Sequence, residues 1–211
     1  DTQASFYGTQ KACEPVHVQL NLETYQVDVA NTTTTALHGL MVSAKVYSLA
    51  NALLFQSKEP QDIDADSSAT SVKLDLAPYL AKGMVIVKLK LLDATGNIVS
   101  QNLYWLGAKS SSYRELNTLA PTLLKATVNS SNDGNMVKVK IQLTNPATVV
   151  SLANKLTLID AKDKSRILPA YFSDNYISLL PGETRSVEVE YPASAAKEAA
   201  EIAIRGWNAT P

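Results

Sequence analysis

Apolar and polar residues alternate along most of this chain with a period of two, the pattern of a β-strand with one buried and one wet face. The clearest example is the segment 184–191, in which Val187, Val189 and Tyr191 alternate with polar side chains. A Pro181-Gly182 turn comes directly before it. Turn chemistry and strand period therefore agree on a strand at this place.

The same pattern predicts a series of short strands in each half of the chain. They cover residues 16–22, 26–31, 40–47, 53–56, 70–76, 84–92, 98–106, 123–128, 136–144, 153–159, 166–172, 176–180, 184–191 and 201–207. Turn-forming residues separate them, for example at 31–35, 60–62 and 93–97. Short strands without intervening amphipathic helices favour antiparallel sandwiches over a parallel βαβ sheet. The predicted fold class is all-β, with two tandem immunoglobulin-like antiparallel β-sandwiches.

The same order of strands and turns occurs twice along the chain. A strand, an Asn bend, a strand, a hairpin turn and a further strand follow each other from VDVANTT to LLFQ, and again from VKIQLTNPAT to ILPAYF. The two copies share little sequence identity. The order of devices nevertheless indicates a repeated architecture.

Three segments depart from the strand pattern. Residues 1–15 resemble the last turns of a helix that Pro15 ends, and 109–121 is a polar linker in which Ser112 can cap a short helix. We therefore expect a tail at 1–15, a first sandwich at 16–108, a linker at 109–121 and a second sandwich at 122–211. Residues 193–200 have high helix propensity, and we interpret them as a loop or one helical turn.

Composition narrows the class of protein further. The 211 residues suit two domains of about 100 residues each. No apolar run approaches the roughly 20 residues of a membrane helix, and a net charge of -1 with scattered Lys and Arg disfavours nucleic acid. The single Cys13 excludes an internal disulfide. The chain begins at Asp1 with neither Met nor a signal peptide, which suggests a piece of a longer polypeptide.

The polar candidates for chemistry are weak. Asp62, Asp64 and Asp66 fall in a predicted polar loop, but they lack the Gly and the distal Glu of a calcium loop. Asp174 and Glu183 are a further acidic pair, as a glycosidase needs. His17 and His38 have no nucleophile motif to serve, and we interpret His17 as a structural residue. Cys13 is interpreted as a small buried hydrophobe.

The aromatic residues and the sequons are weighed in the same way. Tyr104 and Trp105 are neighbours in a strand and point to opposite faces, so one of them is expected to meet another domain or a ligand. Trp207 ends the last predicted strand. Packing is the favoured role of these rings, and carbohydrate stacking is the alternative. The N-x-Ser/Thr sequons at Asn31, Asn129 and Asn208 matter only in a host that glycosylates.

Four separated motifs carry a family resemblance. They are FYGTQKACEPVHVQ at 6–19, NLYWL at 102–106, SDNY through LLPGE at 173–183, and GWN at 206–208. In order and spacing they resemble the C-terminal part of glycoside hydrolase family 2 enzymes. Within that family the similarity is to the group of exo-β-D-glucosaminidases, endo-β-mannosidases and β-mannosidases. It extends through essentially the whole chain.

The resemblance implies two immunoglobulin-like sandwiches that follow a catalytic (β/α)₈ barrel, with both catalytic glutamates in the barrel. It implies a parent enzyme that cleaves β-glucosaminide or β-mannoside glycans with retention. No position here matches either glutamate motif, so we expect no catalytic residue, no metal and no cofactor in this chain. Residues 1–15 then are the tail of the barrel and its linker. The resemblance also suggests a periplasmic or secreted location.

The first functional hypothesis is thus a non-catalytic accessory or scaffold pair whose partner is its own barrel. The alternative is a carbohydrate-binding module that recruits polysaccharide, which needs a row of exposed aromatics. A cell-adhesion or periplasmic chaperone sandwich has the fold but lacks the four motifs. We expect nucleic acid and membrane to play no part.

Two sets of contact residues follow from the first hypothesis. At the barrel interface we expect Phe6, Tyr7, Lys11 and Glu14. For contact with substrate or with another domain we expect the side chains of Asp174, Asn175, Tyr176, Trp105 and Tyr104.

Overall fold

The computed structural model describes residues 2–210. After helix α1 (Ala4–Ala12), the first half of the chain is made of strands, with the short helix α2 (Ala77–Leu80) between the fifth and the sixth. These strands are β1 (Val16–Leu20), β2 (Gln26–Asn31), β3 (Leu37–Ser48), β4 (Leu53–Ile63), β5 (Ser67–Lys73), β6 (Val85–Leu92) and β7 (Ile98–Leu106). They form two antiparallel sheets, of order β1-β2-β5 and β4-β3-β6-β7.

The second half follows a 3-10 helix at Ser110–Thr118. Its strands are β8 (Lys125–Asp133), β9 (Met136–Thr144), β10 (Ser151–Asp160), β11 (Tyr171–Phe172), β12 (Ile177–Leu179), β13 (Thr184–Pro192) and β14 (Ala200–Arg205). They form antiparallel sheets of order β11-β13-β9-β8 and β12-β10-β14. The predicted all-β class of two tandem immunoglobulin-like sandwiches is confirmed.

The chain folds into two compact units. We call Thr9–Thr118 unit A, and the described part of Asp1–Gly8 with Leu119–Pro211 unit B. The first residues of α1 thus belong with unit B. The expected limits of the two sandwiches and of the linker stay a prediction.

Each unit has its own apolar core between its two sheets. In unit A the core includes Val18, Val27, Val42 and Val87, each from a different strand and each 0% exposed. In unit B it includes Ile141, Leu156, Val187 and Val189. Because successive side chains of a strand point to opposite faces, the period-two pattern seen in the sequence places these residues inward.

Each unit contains a buried asparagine that makes the same backbone hydrogen bonds. Asn31 ends β2, and its Nδ2 donates to the Thr35 carbonyl and to the Asp64 carbonyl, both at 2.9 Å. Asn145 follows β9, and its Nδ2 donates to the carbonyls of Val149 and Leu179, again at 2.9 Å. Each Oδ1 also accepts the N–H two residues further on. The Asn bend that repeats in the sequence is therefore one structural device used twice, which ties a bend to another strand connection.

Several local predictions need correction. Residues 60–62 were expected in a turn but lie inside β4, where Pro60 pairs with Met41. Strand β4 is at the edge of its sheet, and an edge strand tolerates Pro because the missing N–H has no partner to lose. The strand expected at 166–172 is reduced to Tyr171–Phe172 and an isolated bridge between Ile159 and Arg166.

Of the helical segments, the turn after β13 was predicted and helix α2 was not. Residues 193–200 contain a 3-10 turn at Ala193–Ala195 before β14 begins, which confirms the expected loop or single turn. Helix α2 was not predicted, since its four residues are too few to show a helical period. No helix within residues 2–210 combines the length and the apolar character of a membrane span.

Candidate functional site

The SDNY segment (173–176) lies just before β12 in unit B. Asn175 is 6% exposed. Its Oδ1 accepts the N–H of Leu156 at 2.7 Å, and its Nδ2 donates to the Leu156 carbonyl at 2.9 Å. The amide thus bonds Leu156 of β10 as a strand neighbour would. Asn175 is held within its own unit, and a contact with substrate or another domain stays a prediction for it.

Asp174 and Tyr176 flank this buried amide and are less enclosed. The Asp174 carboxylate accepts a hydrogen bond from Arg185 Nη2 of β13 at 2.9 Å, in a partly exposed ion pair. Tyr176 has φ 55°, in the left-handed region that non-glycine residues seldom occupy. Lys155 Nζ lies 5.9 Å from the centroid of the Tyr176 ring. That distance suits a cation–π contact.

Tyr176 is one member of an aromatic cluster in unit B, which we define as Phe6, Tyr7 and Tyr176. The Tyr7 and Tyr176 ring centroids are 6.2 Å apart with planes tilted by 46°. Phe6 meets Tyr7 edge to face, at 5.2 Å and 86°. Tyr7 is buried, whereas Phe6 is 55% exposed. Of the aromatic residues expected at the barrel interface, Phe6 therefore has a free surface, and Tyr7 already packs inside this chain.

Unit A has a different polar arrangement, which joins its two sheets. The N–H of Val18 on β1 donates to Ser100 Oγ at 3.3 Å, and the Val18 carbonyl accepts from Asn102 Nδ2 at 2.8 Å. The Leu20 N–H donates to the Tyr104 hydroxyl at 3.0 Å. Ser100, Asn102 and Tyr104 are alternate residues of β7, so they share one face of that strand. We call this set of contacts the β1–β7 seam.

The seam settles the orientation of the Tyr104-Trp105 pair. Tyr104 packs against the unit A core and uses its hydroxyl on β1. Burial raises the pKa of this hydroxyl and outweighs the hydrogen bond from Leu20. Trp105 points to the opposite face, beside its cross-strand partner Ile86, which is 0% exposed. Trp105 is half-buried, and its contact with a substrate or another domain stays a prediction.

Glu14 extends the seam toward α1. Its Oε1 pairs with Lys11 Nζ at 2.6 Å, and its Oε2 accepts from Ser100 Oγ at 2.7 Å and lies 3.4 Å from His17 Nδ1. Burial raises the pKa of Glu14, but the hydrogen bonds and the charge of Lys11 outweigh burial, so this pKa lies below its usual value. Lys11 and Glu14, both expected at a barrel interface, thus bond each other and the seam.

His17 completes this network and is 6% exposed. Its Nε2 lies 3.3 Å from Asn102 Nδ2. The interpretation of His17 as a structural histidine is confirmed, since both ring nitrogens face side chains of its own unit. Ser100 bonds the carboxylate of Glu14 and is 2% exposed, so the seam does not present an accessible nucleophile.

Other sequence candidates lie apart from these groups. Asp62 is on β4, where its carboxylate accepts the Gly39 N–H at 2.8 Å and lies 3.3 Å from His38. The hydrogen bond from Gly39 and then that from His38 lower the pKa of Asp62. Within residues 2–210 no group of three potential metal ligands converges. Cys13 was expected to be buried, which is wrong. It is exposed and comes directly after the last residue of α1.

Two sequons and the turn before β13 are likewise structural. The side chain of Asn31 is fully buried, and Asn208 Nδ2 donates to the carbonyls of Ala120 and Val150. Gly182 has φ 75°, which explains the Pro-Gly pair, and Glu183 accepts the N–H of Leu180 at 3.0 Å. Of the sequon residues, Asn129 on β8 is exposed.

Sequence reasoning missed Lys155 and the polar row of β7. The row had a signal, because Ser100, Asn102 and Tyr104 recur with a period of two in a strand whose other residues, apart from Gln101, are apolar. Lys155 had none, since only the tertiary structure places it 5.9 Å from the Tyr176 ring.

Similarity to known proteins covers both units. A family model described as the exo-beta-D-glucosaminidase Ig-fold domain matches residues 102–209, and one described as the mannosidase Ig/CBM-like domain matches residues 4–108. An exo-beta-D-glucosaminidase of Streptomyces avermitilis is 29% identical over 99% of this chain and 26% of its own length. A mannosylglycoprotein endo-beta-mannosidase of Lilium longiflorum is 26% identical over 99% of this chain and 28% of its own length.

The solved structures that this chain resembles include enzymes of the same kinds. The crystal structure of the Amycolatopsis orientalis exo-chitosanase CsxA matches with a TM-score of 0.87 and 26% identity, over 99% of this chain and 27% of that one. A β-D-mannosidase from Dictyoglomus thermophilum matches with a TM-score of 0.70 at 16% identity, over 98% of this chain and 23% of that one, and shows the fold alone. The chain spans about a quarter of the length of the curated relatives that it matches.

Proposed function

This chain belongs to the family of exo-β-D-glucosaminidase Ig-fold domains, and from that premise we propose that it is the non-catalytic accessory part of a retaining β-glycoside hydrolase. The parent enzyme would act on β-glucosaminide or β-mannoside glycans, and its catalytic barrel would be the partner of these two units. One observation carries the proposal. The chain aligns over nearly all of its own length with only about a quarter of glycosidases named for these substrates.

The state of the carboxyl groups supports a non-catalytic role. A glycosidase general acid needs a raised pKa so that it keeps its proton near neutral pH. Six carboxyl groups among the described residues have a lowered pKa, because N–H, hydroxyl or cationic groups stabilise their charged forms. They are Glu14, Asp62, Asp93, Asp133, Asp160 and Asp163.

Hydrolysis assays test this part of the proposal. The isolated 211-residue chain is expected to release no sugar from chitosan oligosaccharides or from aryl β-mannosides. The full-length enzyme serves as the positive control for each substrate. Turnover by the isolated chain above the level of a buffer control would overturn the non-catalytic assignment.

Phe6 is our candidate for the contact with the barrel. Its ring is 55% exposed, yet Tyr7 holds it at a defined edge-to-face angle, so it presents apolar area without further loss of freedom. In the full-length enzyme, Phe6→Ser is expected to lower the melting temperature of the catalytic domain. Tyr113→Ser, at a similarly exposed ring in the 3-10 helix, is the matched control and should leave it unchanged.

The second candidate function is a carbohydrate-binding module. The observation in its favour is the exposure of aromatic rings in unit B, namely Phe6, Tyr171 and Trp207. Affinity electrophoresis in gels that contain chitosan or mannan separates the two functions. Retardation that Trp207→Ala or Tyr171→Ala removes would favour a binding module, and unchanged mobility in both gels favours the scaffold.

A further inference from the structure

We propose that β14 of unit B is a self-association edge, on which a second copy of this chain pairs antiparallel through its own β14. Among the described residues, β14 ends its sheet and hydrogen-bonds as a strand only to β10. The strand reads AEIAIR, without Pro or an inward-pointing charge. Natural edge strands usually carry such devices to prevent pairing with another chain.

The surroundings of β14 leave this edge accessible. Strand β8, which ends the other sheet of unit B, is exposed at every one of its positions. The segment that precedes β8 meets the chain that follows β14 at the parallel bridge between Thr122 and Ala209. Further along the chain, Val128 of β8 is 42% exposed although it pairs with the buried Ile141. The sheet that ends in β14 therefore stops short of covering β8.

The charge pattern of β14 favours a second copy as the occupant. Antiparallel pairing about Ala203 places Glu201 of one copy opposite Arg205 of the other, and this happens twice because a two-fold axis relates the copies. Both side chains are exposed. Arg205 has no carboxylate partner among the described residues, and Glu201 already bonds Lys164 Nζ at 2.6 Å. The pairing would add the missing anion to Arg205.

The apolar side chains favour the same register. Ile202 and Ile204 pack against the unit B core. Pairing about Ala203 sets Ile202 of one copy opposite Ile204 of the other, with both side chains on the core face of a continuous sheet. A shift by one residue would bring core-facing and solvent-facing side chains opposite each other, and a centre at Ile202 or Ile204 would leave the charges unmatched.

Analytical ultracentrifugation of the 211-residue chain over a range of concentrations tests the proposal. We expect a concentration-dependent species of twice the mass of one chain. Glu201→Arg and Arg205→Glu each place like charges opposite one another and should raise the dimer dissociation constant at least about tenfold. The double variant E201R/R205E restores opposite charges and should return the constant to within about threefold of the starting value.

A matched control separates pairing from general surface charge. Glu188→Arg reverses an exposed glutamate on β13, an interior strand, and also removes a contact with a lysine, Lys140, at 3.7 Å. It should leave the dimer constant unchanged. Circular dichroism of every variant checks that unit B is folded, and Arg205→Glu provides a like-charge variant that sacrifices no ion pair within the described residues.

Three outcomes would overturn self-association at β14. The chain could stay monomeric at all concentrations, the like-charge variants could dimerise as well as the parent, or the double variant could fail to restore pairing. Hydrogen exchange adds a local measurement, because β14 amides should become more protected as concentration rises. Amides that exchange equally fast in dilute and concentrated samples would count against a second copy and leave the edge to a different polypeptide.

Discussion

The two units have the same kind of fold, but their outermost strands are treated differently. In unit A, the edge of β1 is bound by the β7 side chains of Ser100, Asn102 and Tyr104. In unit B, β8 is exposed along its whole length, and β14 bonds as a strand only to β10 among the described residues. A row of polar side chains on one face of a strand in the other sheet is thus enough to satisfy an edge that would otherwise stay open.

The two units share one feature, a fully buried asparagine at a bend between strands. Asn31 in unit A and Asn145 in unit B are both 0% exposed and make the same set of backbone hydrogen bonds. Asn31 has one side-chain bond more, since its Oδ1 also accepts from the Thr33 hydroxyl at 2.7 Å. Because the buried backbone bonds are the same, the removal of either side chain should cost a similar free energy of unfolding. The edges differ in bonding, so removal of edge residues should cost different amounts.

The largest effect is expected at the buried asparagines. Asn31→Ala and Asn145→Ala should each lower the free energy of unfolding of their own unit by about 3 kcal/mol, because buried carbonyls and an N–H lose their partners. Urea denaturation followed by fluorescence measures this unit by unit, since Trp105 lies in unit A and Trp207 in unit B. Single-tryptophan variants isolate each signal.

An exposed asparagine is the control for this pair. Asn132→Ala on β8 should change the free energy of unfolding by less than about 0.5 kcal/mol. Costs that differ between Asn31 and Asn145 by more than about twofold would contradict the equivalence of the two devices.

An intermediate effect is expected at the seam. Asn102→Ala should lower the free energy of unfolding of unit A by about 2 kcal/mol, because the Val18 carbonyl loses its donor and His17 loses a neighbour. Asn129→Ala, at an exposed position of β8, should cost less than about 0.5 kcal/mol in unit B. Equal losses at the two positions would remove the contrast between a closed and an open edge. Urea denaturation with the same tryptophan signals provides the measurement.

The smallest effect is the contribution of Glu14 to the pH dependence of unit A. The pKa of Glu14 is lower in the folded chain than its ordinary 4.5, so its contribution to stability is present above that value and is lost as pH falls through the folded pKa. Glu14→Gln should flatten this acid loss. Since the side chain is 30% exposed, the difference should not exceed about 1 kcal/mol.

Unit B is the internal control for the pH series. At each pH between neutral and acid, the Trp207 signal of unit B should give the same urea midpoint in the parent chain and in Glu14→Gln. If unit A of Glu14→Gln loses stability in acid as much as the parent chain does, titratable groups other than Glu14 cause that loss. Urea titrations at fixed pH values measure both units in one sample.

Prediction of the strands from sequence succeeded where alternation was clean. Strands β2, β7 and β9 have the predicted limits, since period-two burial leaves a direct trace in residue type. It failed at β4, where Pro60 indicated a turn, because only the position of that strand at the sheet edge makes the proline acceptable. It also failed for Cys13, which is exposed, because the type of a single residue outside a periodic segment does not show which way it faces.

The candidate site was predictable only in part. The SDNY segment, the first motif with Phe6 and the Tyr104-Trp105 pair were found from the residues that carry the resemblance. Their division into inward and outward members was not. Asn175 and Tyr7 prove to be buried, whereas Phe6 is exposed. Asn175 bonds Leu156, which is 19 residues away, and Tyr7 meets Tyr176 from the other end of the chain, so both outcomes depend on tertiary contacts.

By itself, the sequence determined the fold class, the repeated asparagine bend and the family, because each depends on residue types at short and regular spacing. Tertiary structure alone decided which edges are closed. Ser100 and Val18 are 82 residues apart, and the side chains of β7 reach β1 only after the two sheets have stacked. Whether a polar side chain satisfies an edge or faces water is a property of that stacking, and no local pattern records it.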